Sequence, residues 1–141
     1  NLRDPEKLHQ WIEHLDYSTI IPLVAVKEDD GQIVANLRLY RSCSGCACHV
    51  GHIRAMVHPD YRSQKIGSWM LLDCAKLALD LGIEKLVAEF VAGVEDVAIK
   101  AARKLDFHQE ACIKEYVKDH NGNYRDLIVM VKNLSAEWGD F

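Results

Sequence analysis

Apolar and polar residues change period several times along this chain, and each change marks an element. Leu8, Trp11, Ile12 and Leu15 recur at helical spacing behind Asp4-Pro5, a cap and first-turn signal, so a helix is expected from Asp4. Residues 20 to 27 and 32 to 40 are strand-like, and Glu28-Asp29-Asp30-Gly31 between them predicts a hairpin with a solvated turn. Residues 49 to 58 alternate, with Val50, His52, Arg54 and Met56 on one face and Gly51, Ile53, Ala55 and Val57 on the other. Pro59 stops that strand. After a polar loop, a helix over residues 66 to 81 carries Met70, Leu71, Cys74, Leu77, Ala78 and Leu81 along one side and ends at Gly82. A strand at 86 to 91, a helix at 94 to 105 and strands at 107 to 118 and 124 to 132 follow, the last two joined through Asn121-Gly122. The strands on either side of the helix at 66 to 81 are expected to be parallel, with that helix as a right-handed crossover. The fold class is therefore α/β: a mixed, mostly antiparallel sheet flanked by helices.

Composition narrows the function. With 141 residues, 49% of them hydrophobic and 27% charged, the chain can bury a core as one domain, and no repeat or linker divides it. A formal charge of −4 without a basic stripe argues against general nucleic-acid binding. No run is apolar for long enough to span a bilayer, and the first residues lack the apolar stretch of a secretory signal. Five cysteines, an odd number without regular spacing, do not look like a disulfide framework. A cytoplasmic protein is expected, with no membrane or nucleic-acid partner.

The chemistry concentrates where the strand at 49 to 58 gives way to the helix at 66 to 81. The first amides of a helix have no partner within it, and the aligned peptide dipoles leave partial positive charge there, so a phosphate fits at Ser63 to Ser68. Arg62 adds a fixed charge beside them. Residues 55 to 72 resemble motif A of the GCN5-related N-acetyltransferase (GNAT) family, Val-x-Pro-x-Tyr-Arg-x-x-Gly-x-Gly. The matching positions are Val57, Pro59, Tyr61, Arg62, Ile66, Gly67, Leu71 and Leu72, and Lys65 stands where the pattern has its first glycine. Further matches at Leu77, Leu81, Gly82, residues 85 to 91, Ala98-Ile99 and residues 104 to 107 extend the resemblance over roughly residues 20 to 134.

That resemblance implies acetyl-CoA as cosubstrate and a primary amine, on a small molecule or a protein, as acceptor. The diphosphate would lie on Arg62, Ser63, Gln64, Lys65, Ile66, Gly67 and Ser68, and pantetheine would pair with backbone near Ala55, Met56 and Val57. A backbone amide at that strand would polarise the thioester carbonyl for direct attack in a ternary complex. His52 and Glu89, on the two strands that the family splays apart, are the candidates for general base, with His58 a surface residue and Tyr116 an acid only if the last hairpin covers the cleft. Aligned on the family's Asn-x-x-Ala-Ile-x-x-Tyr-x-x-x-Gly-Phe, this chain has Glu95 for the Asn, Ala102 for the Tyr and Asp106 for the Gly. Ala102 and Glu95 admit one rival to acetyl transfer, an acetyl-CoA sensor without catalysis; Lys65 and the absence of the family's N-terminal elements admit another, an interaction module with a vestigial cleft. The family fold also opens with a strand and helix not found before Asp4, so the chain is either a piece of a longer protein or a shortened fold, and homodimerisation would cover the exposed edge.

One other constellation competes. Cys43, Cys46, Cys48 and His49 could supply the four donors of a structural zinc site, but donors packed so closely leave some side chains pointing away, and a turn is expected there. No metal is expected. Trp11, Trp69 and Trp138 lack basic neighbours in a pattern and are expected to serve packing.

Overall fold

A computed structural model describes residues 5–42 and 45–134, with the side chains of residues 7, 8, 11 and 12 outside that description. Helix α1 (Pro5–Glu13) leads into strands β1 (Ile20–Val26), β2 (Ile33–Arg41) and β3 (Val50–Val57). A single 3₁₀ turn (Pro59–Tyr61) connects to helix α2 (Ile66–Asp80), followed by β4 (Lys85–Val91), helix α3 (Asp96–Lys104), β5 (His108–Lys118) and β6 (Tyr124–Asn133). The six strands form one sheet in the order β1-β2-β3-β4-β6-β5. Every neighbouring pair is antiparallel except β3 with β4, which α2 joins as a crossover. The expected mixed, mostly antiparallel sheet with flanking helices is what the chain adopts.

The core lies between one face of this sheet and helices α2 and α3. Leu37 and Leu39 of β2, Ile53 of β3, Leu86 and Ala88 of β4 and Met130 of β6 meet Met70, Cys74 and Ala78 of α2 and Ile99 and Ala102 of α3. Gly51 is needed in this packing: a Cβ there would stand 2.8 Å from Leu39 Cδ1 and 3.3 Å from both Ile83 Cδ1 and Leu86 Cδ2. Burial pushes the Cys74 thiol up to about 12, which leaves it inert as a nucleophile.

Both core helices end in the same motif. After α2, Gly82 at φ 77° lets Ile83 N–H reach Ala78 O and its own N–H reach Leu79 O. After α3, Asp106 takes the equivalent left-handed position at φ 65°, with Phe107 N–H on Ala102 O. There Lys132, only 2% exposed, donates from Nζ to Leu105 O at 2.7 Å and neutralises a helix C-terminus. Asn133 closes β6 and Leu134 is buried, its N–H on Glu84 O at 2.8 Å.

The hairpin of β5 and β6 is held by two carboxylates. Asp119 accepts the N–H groups of Asn121 and Asn123 and pairs with Arg125 at 3.0 Å. Asp126 accepts Glu115 N–H at 3.0 Å across an irregularity in β5 and pairs with Lys114 at 3.1 Å. Bonds from the Asn123 and Glu115 amides, respectively, are the first cause that holds each carboxyl below its ordinary range.

Candidate functional site

The middle of the sheet comes apart. Strands β3 and β4 pair only from Val50↔Lys85 to Ile53↔Ala88. Beyond that rung each strand stays bonded on its outer side: Arg54 to Val57 to β2, and Glu89 to Val91 to β6. Their inner edges therefore face each other across a gap. His58 N–H donates to Val34 O at 2.8 Å, and the alternation of an antiparallel ladder then assigns Met56 and Arg54 to the pairs bonded with β2. The N–H and C=O of Ala55 and Val57 point the other way, into the gap. Burial follows the split: Gly51 and Ile53 are buried, while Ala55, next on the same face, is exposed. Met56 differs from its expected role, because its backbone turns to β2 and its side chain stands 78% exposed.

Where β3 runs out, the chain builds a cationic turn. His58 caps the 3₁₀ turn by accepting Asp60 N–H at Nδ1 (3.2 Å) and packs edge-on against Tyr61, so it shapes the loop. Arg62 reaches back from Nε to Val57 O at 3.3 Å, which ties its guanidinium to the end of β3. Ser63 and Lys65 both have left-handed backbones, at φ 64° and 63°, with Gln64 at negative φ between them. Such alternation turns successive N–H groups toward one side. Lys65 thus occupies the conformation for which the resembled motif uses glycine.

The N-terminus of α2 that follows is bare. No side chain caps it, and its first turn carries no acid. The first bond across the turn runs from Trp69 N–H to Lys65 O, so the amides of Ile66, Gly67 and Ser68 have no partner in the helix. A Cβ on Gly67 would meet only Val57 Cγ2, at 3.8 Å, so packing does not demand the glycine, and the space over it is open to a ligand. Backbone donors, dipole, Arg62 and Lys65 together fit a diphosphate.

The next junction, from β4 into α3, is finished differently. Ala92 N–H bonds to Asp126 O of β6, and the same alternation turns Val91 N–H toward the gap. Glu95 Oε2 takes that N–H at 2.6 Å, and Asp96 Oδ1 takes Gly93 N–H at 2.8 Å. The sequence reading counted Glu95 only as a missing Asn. Its role was hidden in the sequence, since the amide it takes belongs to the end of β4 and not to the helix it precedes.

On the face of the sheet away from α2 and α3, a cleft of about 330 Å³ opens over the diverging strands, lined by Tyr40, His52, Ile53, Arg54, Val87 and Glu89. His52 and Glu89 are both exposed, and both line this cleft. Arg54 and Tyr40 were not singled out from sequence. Tyr116 lies on β5, separated from β4 by β6, and is 65% exposed. Ala102 is wholly buried in the core. Of the cysteine run, Cys43 falls outside the described residues, and Cys46 and Cys48 are exposed free thiols. Among the described residues no three potential ligands gather as a metal site, and no helix is long and apolar enough to cross a membrane. Trp69 stands 68% exposed on α2, while the Trp11 side chain and Trp138 lie outside the described residues.

Comparison with known proteins covers most of the chain. The family described as Acetyltransferase (GNAT) family matches over residues 2–107. No curated protein sequence matches. Among solved structures, the ribosomal-protein-alanine N-acetyltransferase of Brucella melitensis is similar with a TM-score of 0.81 and 26% identity, over 95% of this chain and 81% of that one. A phosphinothricin acetyltransferase of Sinorhizobium meliloti in complex with acetyl-CoA superposes with a TM-score of 0.79 at 18% identity, over 94% of this chain and 70% of that one. An acetyltransferase of Salmonella typhimurium with its cofactor acetyl-CoA gives 0.79 at 19% identity, over 94% and 75%.

Proposed function

The chain belongs to the acetyltransferase (GNAT) family, and from that premise we propose that it moves an acetyl group from acetyl-CoA to a primary amine by direct attack in a ternary complex. The observation that carries this reading is the gap between β3 and β4 opening beside an uncapped, cationic helix start. Acetyl-CoA in two of the similar structures supports the choice of cosubstrate.

In this reading Ile66, Gly67 and Ser68 amides, with Arg62 and Lys65, hold the diphosphate, and Ser63 and Gln64 shape the turn around it. The N–H and C=O of Ala55 and the N–H of Val57 pair with the pantetheine amides in the gap, Val57 O stays with Arg62 Nε, and Met56 lies along the gap through its side chain. The thioester then reaches the cleft of His52 and Glu89. There the amine nitrogen bonds to the carbonyl carbon, the C–S bond breaks, the amine proton passes to His52 or Glu89, and the thiolate leaves to take a proton from solvent. None of the described cysteines lines the cleft, which favours direct attack over an acyl-enzyme.

A second reading, binding without turnover, is favoured by Ala102, a methyl group where the resembled motif has a Tyr. The two separate in one experiment. Acetyl-CoA at a hundred times its dissociation constant should add about 2.7 kcal/mol and raise the melting temperature by several degrees under both. Free thiol released in proportion to added amine supports transfer. A melting shift without thiol release from any amine supports the sensor, and no shift at all removes both.

A further inference from the structure

Arg54 and Glu89 are the first residues past the last rung shared by β3 and β4, Ile53↔Ala88, and both line the cleft over the gap. They carry opposite charges on neighbouring strands. Even so, neither forms an ion pair or side-chain hydrogen bond with a described residue. The reason is the divergence of the strands at that rung, which draws the two side chains apart. Arg54 also lies directly opposite Arg38 of β2 on the same face. Glu89 faces Val129 of β6 on its other side and finds no cation there. The cleft thus presents one unpaired guanidinium and one unpaired carboxylate beside the apolar side chain of Val87.

We propose that this cleft selects a zwitterionic acceptor: a small molecule whose reacting amine lies a few bonds from a carboxylate, with Arg54 holding the carboxylate and Glu89 the ammonium. The proposal rests on the acetyl-transfer reading and gives it a substrate class. Placement supports it, because Arg54 and Glu89 follow the last shared rung on neighbouring strands and line one cleft, and a guanidinium takes a carboxylate bidentately. A lone monoamine would satisfy Glu89 and leave Arg54 without a counter-charge. A lysine side chain of a folded protein brings no carboxylate at that distance.

The test is steady-state thiol release with matched pairs, alanine against ethylamine and leucine against isopentylamine, alongside calorimetric titration of acetyl-CoA on the same preparations. The amino acids should show kcat/KM at least about tenfold above their carboxylate-free partners, the size expected for one charge-assisted contact. Arg54→Gln should collapse that ratio toward one, and Arg54→Lys should restore part of it. Arg54 is exposed, so its replacement does not put folding at risk. Equal use of both members of a pair by the native protein, or a ratio untouched by Arg54→Gln, overturns the zwitterion and leaves acetyl transfer standing. Acetyl-CoA binding with no amine acetylated overturns it in favour of the sensor. Absence of any heat with acetyl-CoA overturns the acetyl-transfer reading itself.

Discussion

Two strands in this chain run out into the start of a helix, and the two junctions are finished with opposite charge. At the end of β4, Glu95 and Asp96 take the amides of Val91 and Gly93 at 2.6 and 2.8 Å. At the end of β3, no acid stands in the first turn of α2, and Arg62 and Lys65 flank its free amides; neither helix start has a side-chain cap bond, so the difference lies in charge. Backbone architecture is shared and chemistry is not. A helix N-terminus favours a ligand's anion where the chain has placed none of its own, so the proposed diphosphate site belongs at the first junction and not at the second.

The strongest way to break that contrast is to supply the acid that the open junction lacks. Arg62→Glu should weaken acetyl-CoA binding on the order of 100-fold, because a charge-assisted contact becomes a repulsion, while the melting temperature stays nearly constant. Calorimetry and a thermal melt read the two quantities. The reverse pattern is expected at the closed junction. Glu95→Ala leaves Val91 N–H without its acceptor and should lower stability in urea by about 1–3 kcal/mol, with acetyl-CoA affinity changed much less than by Arg62→Glu.

Lys65→Gly sharpens the comparison at a smaller scale. Relief of a left-handed side chain, about 1 kcal/mol, is offset by the greater freedom of glycine in the unfolded chain, about 0.5–1 kcal/mol. Denaturation should hardly move, and affinity should fall several-fold through loss of one exposed cation. The smallest effect on binding is expected from acid at the far hairpin. Asp119 and Asp126 are held below the ordinary carboxyl value of 3.8, so they stabilise the fold above that value and lose the contribution as pH falls through their lowered folded values. Urea midpoints between pH 7 and pH 3 should show that loss, reduced in Asp119→Asn, with acetyl-CoA affinity unaffected at pH 5 and above.

Much of this was legible in the sequence because local signals agree. The strand at β3, the stop at Pro59, the apolar side of α2 and the hairpin at Asn121-Gly122 all lie within a residue or so of their expected places. Helix α3 starts at Asp96, two residues later than its apolar pattern suggested, because Gly93 at φ 80° and the bonds from Glu95 and Asp96 first complete a turn. The loop at Arg62 to Ser68 could be read from its residue types, since helix amides and a guanidinium act close in sequence. The cleft could not. Whether Arg54 meets Glu89 depends on where β3 and β4 stop pairing, and that depends on β2 and β6, which lie far away along the chain. Nor could Glu95 be read from a family motif that has Asn in its place. Its role needs the direction in which Val91 N–H points, a consequence of register with β6.

The central claim is that coenzyme A is held by the bare first turn of α2. Amide resonances of the isotope-labelled protein, followed through a titration with acetyl-CoA, test it directly. Ile66, Gly67 and Ser68 should shift strongly and exchange with solvent more slowly, while Asp96, Val97 and Ala98, whose helix start carries the negative charge of Glu95 and Asp96, should barely respond. Saturable binding with the α2 amides unmoved, or with both helix starts responding alike, would contradict the account.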